Sequence, residues 1–192
     1  MTAPNDVVAV GEREFYVTND HYYARPGAGR LLEEYLQRAI SYVNYFDGSK
    51  FRTVAEGIAY ANGINVSPDG KKVHVAATTG RKVYTYDRGS DGSLTLTAEQ
   101  DLETGVDNID ITANGDLWIG CHPQLLKYSA HALDHSNRSP SQVIRMRPDG
   151  TSEEIFLSDG VDYSGSTVGA VWGKMILVGS VFEPSLLILT RK

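Results

Sequence analysis

Along most of this chain, apolar and polar positions alternate over short runs that end at turn-forming residues. Val73-His74-Val75 and Val83-Tyr84-Thr85-Tyr86 show the two-residue period of strands. Turn signals recur at Pro68-Asp69-Gly70, Ser90-Asp91-Gly92, Asn114-Gly115, Pro148-Asp149-Gly150 and Gly173-Lys174. Only Gly29 to Ile40 has a clear helical period. Leu31, Leu32, Tyr35, Leu36 and Ala39 form an apolar stripe, and Glu33, Glu34, Gln37 and Arg38 form a polar face. Glu34 and Arg38 also stand in the favourable i,i+4 order. The polar stretch from His131 to Ser141 reads as the longest loop.

The strand pattern repeats. Asn62-Gly63-Ile64-Asn65-Val66-Ser67-Pro68-Asp69-Gly70 aligns without a gap on Asp107-Asn108-Ile109-Asp110-Ile111-Thr112-Ala113-Asn114-Gly115, 45 residues later. A strand follows each copy, at Lys72 to Ala76 and at Leu117 to Cys121. Two weaker copies flank them. Asp6 to Gly11 precedes Glu14 to Thr18, and Ser166 to Val171 precedes Met175 to Gly179. A repeat of about 40–50 residues holding about four strands is the signature of a propeller blade. One such blade cannot bury both its faces alone and must stack between neighbours. The fold class expected is all-β, a propeller of about four blades in one domain over residues 1–192.

Composition narrows the function classes. The 192 residues are 41% hydrophobic and 22% charged, values ordinary for a folded chain rather than a disordered one. The net charge of −6 argues against a nucleic-acid or anionic-membrane surface and suits a protein that binds a cation. Cys121 is the single cysteine, so no internal disulfide can form. No apolar run reaches the roughly 18 residues of a membrane-spanning helix, and residues 1–19 lack a secretory signal pattern. The compartment is therefore open, since any signal would precede this segment.

The candidate chemistry lies at strand ends. Inner strands of a propeller bring their ends to one rim of the central channel. Asn62 opens one such strand, Asp107 and Asn108 open another, and Asn19 and Asp20 close a third. Each alone is also an ordinary turn residue. In phase with a repeat, carboxylate and amide oxygens suit Ca²⁺ rather than Zn²⁺. Of the histidines, His131 and His135 fall in the polar loop and read as solvated, His74 lies within a strand, and His21 and His122 follow strands and could face the channel. Cys121 and His122 are neighbours in a strand and point to opposite faces, so they make no nucleophile–base pair; a buried structural thiol is expected. Gly165-Ser166-Thr167 lacks the spacing of a nucleophile elbow. Asn65-Val66-Ser67 and Asn137-Arg138-Ser139 are glycosylation sequons, the second on the expected loop.

Several stretches resemble the serum paraoxonase/arylesterase family: Pro4 to Gly11, Phe15 to Tyr22, Ala55-Glu56-Gly57, Ala61 to Gly70, Val106 to Ile109, Gly115 to Pro123, Gly165 to Val168, and Val181-Phe182. They occur in family order through nearly the whole chain. The resemblance implies a six-bladed propeller holding two Ca²⁺ ions, which hydrolyses lactones, aryl esters and, in some members, organophosphates. It implies that Asn19, Asn62, Asp107 and Asn108 hold the catalytic ion and Asp20 the structural one. Tyr60, His122, Thr167, Val181 and Phe182 match positions of the pocket wall. The helix at 29–40 is similar to the family's amphipathic helix above the active site, which contacts lipid or lipoprotein; here Glu33 and Glu34 make its polar face acidic, which argues against membrane contact.

The chain also departs from the family. It begins where the family's second half begins, so a Glu-Asp pair of calcium ligands, a backbone ligand and both proposed catalytic histidines are expected outside it. Ile188 stands near the family's C-terminal cysteine. Two readings of function follow. One is a calcium-dependent arylesterase or lactonase represented by part of its propeller, acting on a small-molecule ester with no nucleic-acid partner. The other is a non-catalytic binding or assembly module that associates, with itself or another chain, through open blade faces. A related calcium propeller of the gluconolactonase or strictosidine-synthase type is a third, less well matched by the Asn-Asp-His and Asp-Asn-Ile contexts.

Overall fold

A computed structural model describes residues 1–25 and 27–190. The described chain folds into strands and two short helices, arranged as four separate antiparallel sheets. Two compact units result, Met1–Asp101 and Leu102–Lys192, each containing two sheets. Among the described residues no helix is long and apolar enough to cross a membrane.

In the first unit one sheet has the order β1 (Pro4–Ala9), β2 (Phe15–Asn19), β3 (Ser41–Phe46), β4 (Phe51–Ile58). The second has β5 (Ala61–Val66), β6 (Lys72–Ala77), β7 (Lys82–Arg88), β8 (Leu94–Asp101). Each strand pairs with its sequence neighbour, so both sheets are plain meanders. Alternate residues of the inner strands meet in one core, which includes Tyr16, Val43, Tyr45, Ile58, Ile64, Val73 and Val75. The aligned repeat falls where expected: its copies begin β5–β6 here and β9–β10 in the second unit. Glycine closes four of the turns read from sequence with positive φ, at Gly70, Gly92, Gly115 and Gly150.

The second unit has β9 (Gly105–Ile111), β10 (Leu117–His122), β11 (Ser141–Met146) and β12 (Ser152–Ser158) in one sheet. The other sheet has three strands, β13 (Ser166–Trp172), β14 (Met175–Ser180) and β15 (Leu187–Thr190). Trp118, Val143, Tyr163, Ile176 and Val178 form its core. The two sheets approach closely at Gly120, where a Cβ would collide with the backbone of Thr167 and Val168.

A buried serine serves the same purpose in both units. Ser41 donates to Ile58 O at 2.8 Å and accepts from Ala61 N–H at 2.7 Å. Ser141 donates to Tyr163 O at 2.8 Å and accepts from Ser166 N–H at 3.0 Å. Each thereby pins the crossing from one sheet to the next by bonding a backbone carbonyl before it and a backbone N–H after it.

The helices correct the sequence reading in two places. α1 spans Ala28–Tyr35 and does not reach Ile40. Gln37 takes φ 51°, and Arg38 N–H and Gln37 N–H bond to Glu33 O and Glu34 O, a Schellman stop without the usual glycine. The apolar stripe of α1 is exposed at Leu31, Leu32, Tyr35 and Leu36, whereas Glu33 is buried. The second correction is α2 (Leu125–Leu133), in a stretch whose last part was read as loop. It buries His131, which was expected to be solvated. Leu125, Tyr128 and His131 share one helical face, and Leu125 fills the space beside Gly105. His135 is exposed as expected. In the second sequon Asn137 is exposed but Ser139 is fully buried.

Candidate active site

In the second unit β9 and β10 run antiparallel, with Asp107 near the start of one and His122 at the end of the other. This brings His122 Nε2 to 2.9 Å from Asp107 Oδ2, with both residues at most 5% exposed. A carboxylate only accepts, so Nε2 carries a ring proton, and in the neutral ring Nδ1 presents a lone pair. Nδ1 is buried and has no hydrogen-bond partner among the described residues. Tyr128 of α2 lies flat on the imidazole, centroids 3.5 Å apart at 18°. Burial raises the Tyr128 pKa, and the Asp107 charge adds to that, so its hydroxyl stays neutral. The arrangement is an oriented, water-shielded imidazole that can accept a proton at Nδ1.

The other candidates of this unit lie on β9, β13 and the segment after β14. Asn108 donates Nδ2 to Thr167 O at 3.2 Å, and Thr167 is buried. Phe182 lies 6.3 Å from Tyr128, centroid to centroid, so His122, Tyr128 and Phe182 form a chain of ring contacts. Val181 is 66% exposed, a position open to a ligand but not enclosed. Cys121 is fully buried, and burial holds its thiol well above the usual range, as a structural thiol requires.

In the first unit Asn19 ends β2, wholly buried. Its Oδ1 accepts Thr2 N–H at 3.0 Å and its Nδ2 has no partner among the described residues. Asp20 is heavily engaged: Oδ2 accepts from Asn5 at 3.0 Å, Oδ1 lies 2.6 Å from His21 Nδ1, and the Arg30 guanidinium stands 3.8 Å away. His21 Nε2 reaches Glu34 Oε1 at 2.8 Å. Burial alone would lower the His21 pKa, but its bonds to Asp20 and Glu34 together outweigh burial and raise it. Glu33 accepts Tyr22 N–H at 2.7 Å. The acidic face of α1 is therefore turned onto the strand end it covers. Tyr60, at φ 63°, contacts His21 edge-on at 4.8 Å. Asn62 donates Nδ2 to Thr78 Oγ1 at 3.0 Å.

Hard-cation chemistry fits part of this set. Asn62 and Asn108 spend their amide nitrogens on protein acceptors, so each can offer an ion its carbonyl oxygen. Asn19 has a buried amide nitrogen with nothing to bond; the amide turned over would present its oxygen there instead. Asp20 fits worst, because Arg30 already balances its charge. Among the described residues no three His, Cys, Asp or Glu side chains form a metal cluster; the candidate donors are mainly amides.

Sequence reasoning placed His122 on the pocket wall but missed its pairing with Asp107; it missed Tyr128 altogether and read His131 as a solvated loop residue, whereas it is buried. The i,i+3 spacing of Leu125, Tyr128 and His131 was the available signal, obscured by the absence of an N-cap side chain.

The fold and this buried carboxylate–imidazole pair define a class of blade-built proteins with polar strand ends, and comparisons with known proteins place the chain within it. A sequence profile of the Arylesterase family matches residues 1–188, and the chain belongs to that family. It is 41% identical over 187 residues to human serum paraoxonase/arylesterase 1, a match covering 95% of this chain and 52% of that protein. To human serum paraoxonase/arylesterase 2 it is 34% identical over 191 residues, covering 97% and 53%. The chain thus spans about half the length of the curated relatives it matches. A Xanthomonas campestris gluconolactonase structure superposes with a TM-score of 0.64 at 17% identity, covering 99% of this chain and 57% of that one. Regucalcin from Agrobacterium tumefaciens, described as a calcium-binding protein, gives 0.59 at 15%, covering 95% and 55%. These likenesses show that the four sheets are propeller blades.

Proposed function

We propose that this chain is part of a calcium-dependent hydrolase of carboxylic esters, acting on lactones and aryl esters and extending to organophosphates. The observation that carries the reading is the buried Asp107–His122 pair, whose Nδ1 has no hydrogen-bond partner among the described residues; amide side chains suited to a hard cation add to it. Family membership and the named activities of the relatives support it.

On this reading Asn19, Asn62, Asp107 and Asn108 are ligands of a catalytic Ca²⁺, and Asp20 belongs to a second ion. Calcium, when bound, supplies a Lewis acid that polarises a carbonyl or phosphoryl oxygen. Asp107 holds the Nε2–H of His122, which leaves Nδ1 to take a proton from water as it attacks. A carboxylate has two oxygens and can serve imidazole and ion together. The Tyr128 ring covers one face of the imidazole and keeps bulk water off it. Tyr60, His122, Thr167, Val181 and Phe182 contact the substrate. The relatives extend well beyond the matched span, and further calcium ligands come from there; the family's proposed base histidines also lie there, so His122 is a second acceptor for that proton and not the sole base.

Calorimetric Ca²⁺ titration of the chain, with phenyl-ester and lactone hydrolysis assayed alongside, is the direct test. Hydrolysis is also assayed in a longer protein carrying this segment and the remaining ligands. Calcium binding weakened by Asp107→Asn is expected. A longer protein that turns over neither ester nor lactone sinks the catalytic reading.

One observation favours the assembly reading. Among the described residues the last sheet has three strands where the others have four, and β15 leaves Leu187-Ile188-Leu189 along an edge. A strand from another chain could pair there. Sedimentation as a monomer at all concentrations would exclude self-association.

A further inference from the structure

We propose that His131 is a specificity-determining residue, whose Nε2 accepts a hydrogen bond from the hydroxyl of an aromatic substrate held against Phe182. This rests on the reading that Phe182 lines the substrate pocket.

His131 Nδ1 lies 2.6 Å from the carbonyl oxygen of Asn137. A carbonyl only accepts, so Nδ1 is the protonated nitrogen, and Nε2 of the neutral ring is an acceptor. His131 is 3% exposed, and Nε2 has no hydrogen-bond partner among the described residues. A buried acceptor left without a donor is destabilising. Such an atom calls for a partner from outside the chain, whether a water, an ion or a ligand.

The surroundings define what could complete it. Phe182 meets the His131 ring edge-on, centroids 5.2 Å apart at 85°. His135 stacks on Phe182 at 4.4 Å and 25°, fixed there by donating Nδ1–H to His131 O at 2.9 Å. Tyr128 adds a further ring near Phe182. On its remaining side the His131 ring faces Gly165, at φ 61°. A Cβ at Gly165 would lie 3.1 Å from His131 Cδ2 and 3.5 Å from Nε2, so only glycine keeps that side clear. Planar aromatic surfaces around one bare acceptor match a ring that carries a hydroxyl donor. Aliphatic lactones have no donor to give and an unsubstituted phenyl ester leaves Nε2 unmatched. A site built to bond a hydroxyl rejects the analogue without it far more strongly than an apolar wall does. The preferred substrate class is therefore the ester of a hydroxylated aromatic.

The test uses the chain itself with phenol and anisole as probes, read by long-range ¹H–¹⁵N NMR of the histidine rings. His131 Nε2 is expected to report as unprotonated in the free chain. Phenol is expected to shift it and to bind about 10-fold or more tightly than anisole. His131→Leu should bring the two affinities together. Gly165→Ala, which leaves the imidazole in place but crowds it, should weaken phenol more than anisole and guards against a His131 variant that misfolds. Equal affinities in the parent chain, no binding of either probe, or a protonated Nε2 overturns the proposal. Hydrolysis of phenyl acetate and 4-hydroxyphenyl acetate is measured in the longer protein. Selective binding without turnover would remove the hydrolase reading and leave the role of His131 standing; turnover without selectivity would do the reverse.

Discussion

Asp107 and His122 face each other across the β9–β10 pair, Oδ2 to Nε2 at 2.9 Å, and this contact fixes which imidazole nitrogen is free to accept a proton. Asp107→Asn keeps the shape but can present an amide N–H to Nε2, moving the ring proton to Nδ1. On the proposed reading, in a longer protein carrying this segment and at saturating Ca²⁺, that change is expected to lower kcat by about 100-fold or more, with a smaller effect on KM. Tautomer-sensitive ¹⁵N shifts of His122 should move with it. A kcat within threefold of the parent would mean that His122 is only a wall residue.

Gly120 and Gly57 separate two reasons for glycine. At Gly120 a Cβ runs into the backbone of Thr167 and Val168, which cannot yield cheaply. Gly57 has φ 78° but nothing within 4 Å of its Cβ position. Gly120→Ala should therefore cost about 3 kcal/mol or more, and Gly57→Ala about 1 kcal/mol. Urea denaturation of the two variants ranks them; a Gly57 variant as damaged as the Gly120 variant would refute the close-approach account.

Ser41 and Ser141 offer a matched pair across the repeat. Each bridges a backbone carbonyl and a backbone N–H at a sheet crossing. Ser→Ala at either position strands two buried polar groups and should cost about 1–3 kcal/mol. Denaturant midpoints of the two variants should fall by similar amounts. An unchanged midpoint in both would show that the crossings do not depend on the hydroxyl.

The contrast between what was legible and what was not follows from the range of the forces involved. The 45-residue repeat exposed the blades because strand alternation and turn glycines are local. The end of α1 was hidden because Gln37, not glycine, takes the left-handed position. Its orientation was hidden for a different reason. The helical period shows two faces but not which one has partners, and here the backbone amide of Tyr22 and the ring of His21 claim the acidic one. Likewise Asp107 could be picked out by its phase in the repeat, whereas its pairing with His122 needs the register of two strands.

That inverted helix can be tested. Glu33→Ala removes the acceptor for Tyr22 N–H and should destabilise the chain by about 1–3 kcal/mol. Leu32→Ser, on the exposed stripe, should change stability by no more than about 0.5 kcal/mol. Thermal melts of both variants decide it, and the opposite ranking would mean that α1 packs through its leucines.

Acid sensitivity should have a component from His74. Burial in β6, with a smaller push from Lys72, lowers its pKa from 6.5 to about 4, while Nδ1 bonds Thr85 Oγ1 at 3.0 Å. Below pH 6.5 the unfolded chain takes up a proton that the folded chain refuses. The stabilising contribution is thus complete above pH 6.5 and declines as pH falls towards 4, reaching about 2 kcal/mol lost at pH 5. Asp47 acts in a lower window, since the Ser49 side chain and two backbone N–H bonds hold its carboxyl at about 2 and its contribution fades only below the ordinary carboxylate range. His21 has the opposite sign, because its pKa is raised: its contribution is present at low pH and fades as pH rises through the folded value. Comparing the parent with His74→Thr isolates the one group, since the other titrations are common to both. Urea midpoints measured from pH 7 to pH 4.5 should converge as the pH falls, the parent losing stability faster. Parallel curves would show that His74 takes up its proton in the folded state as readily as in the unfolded one.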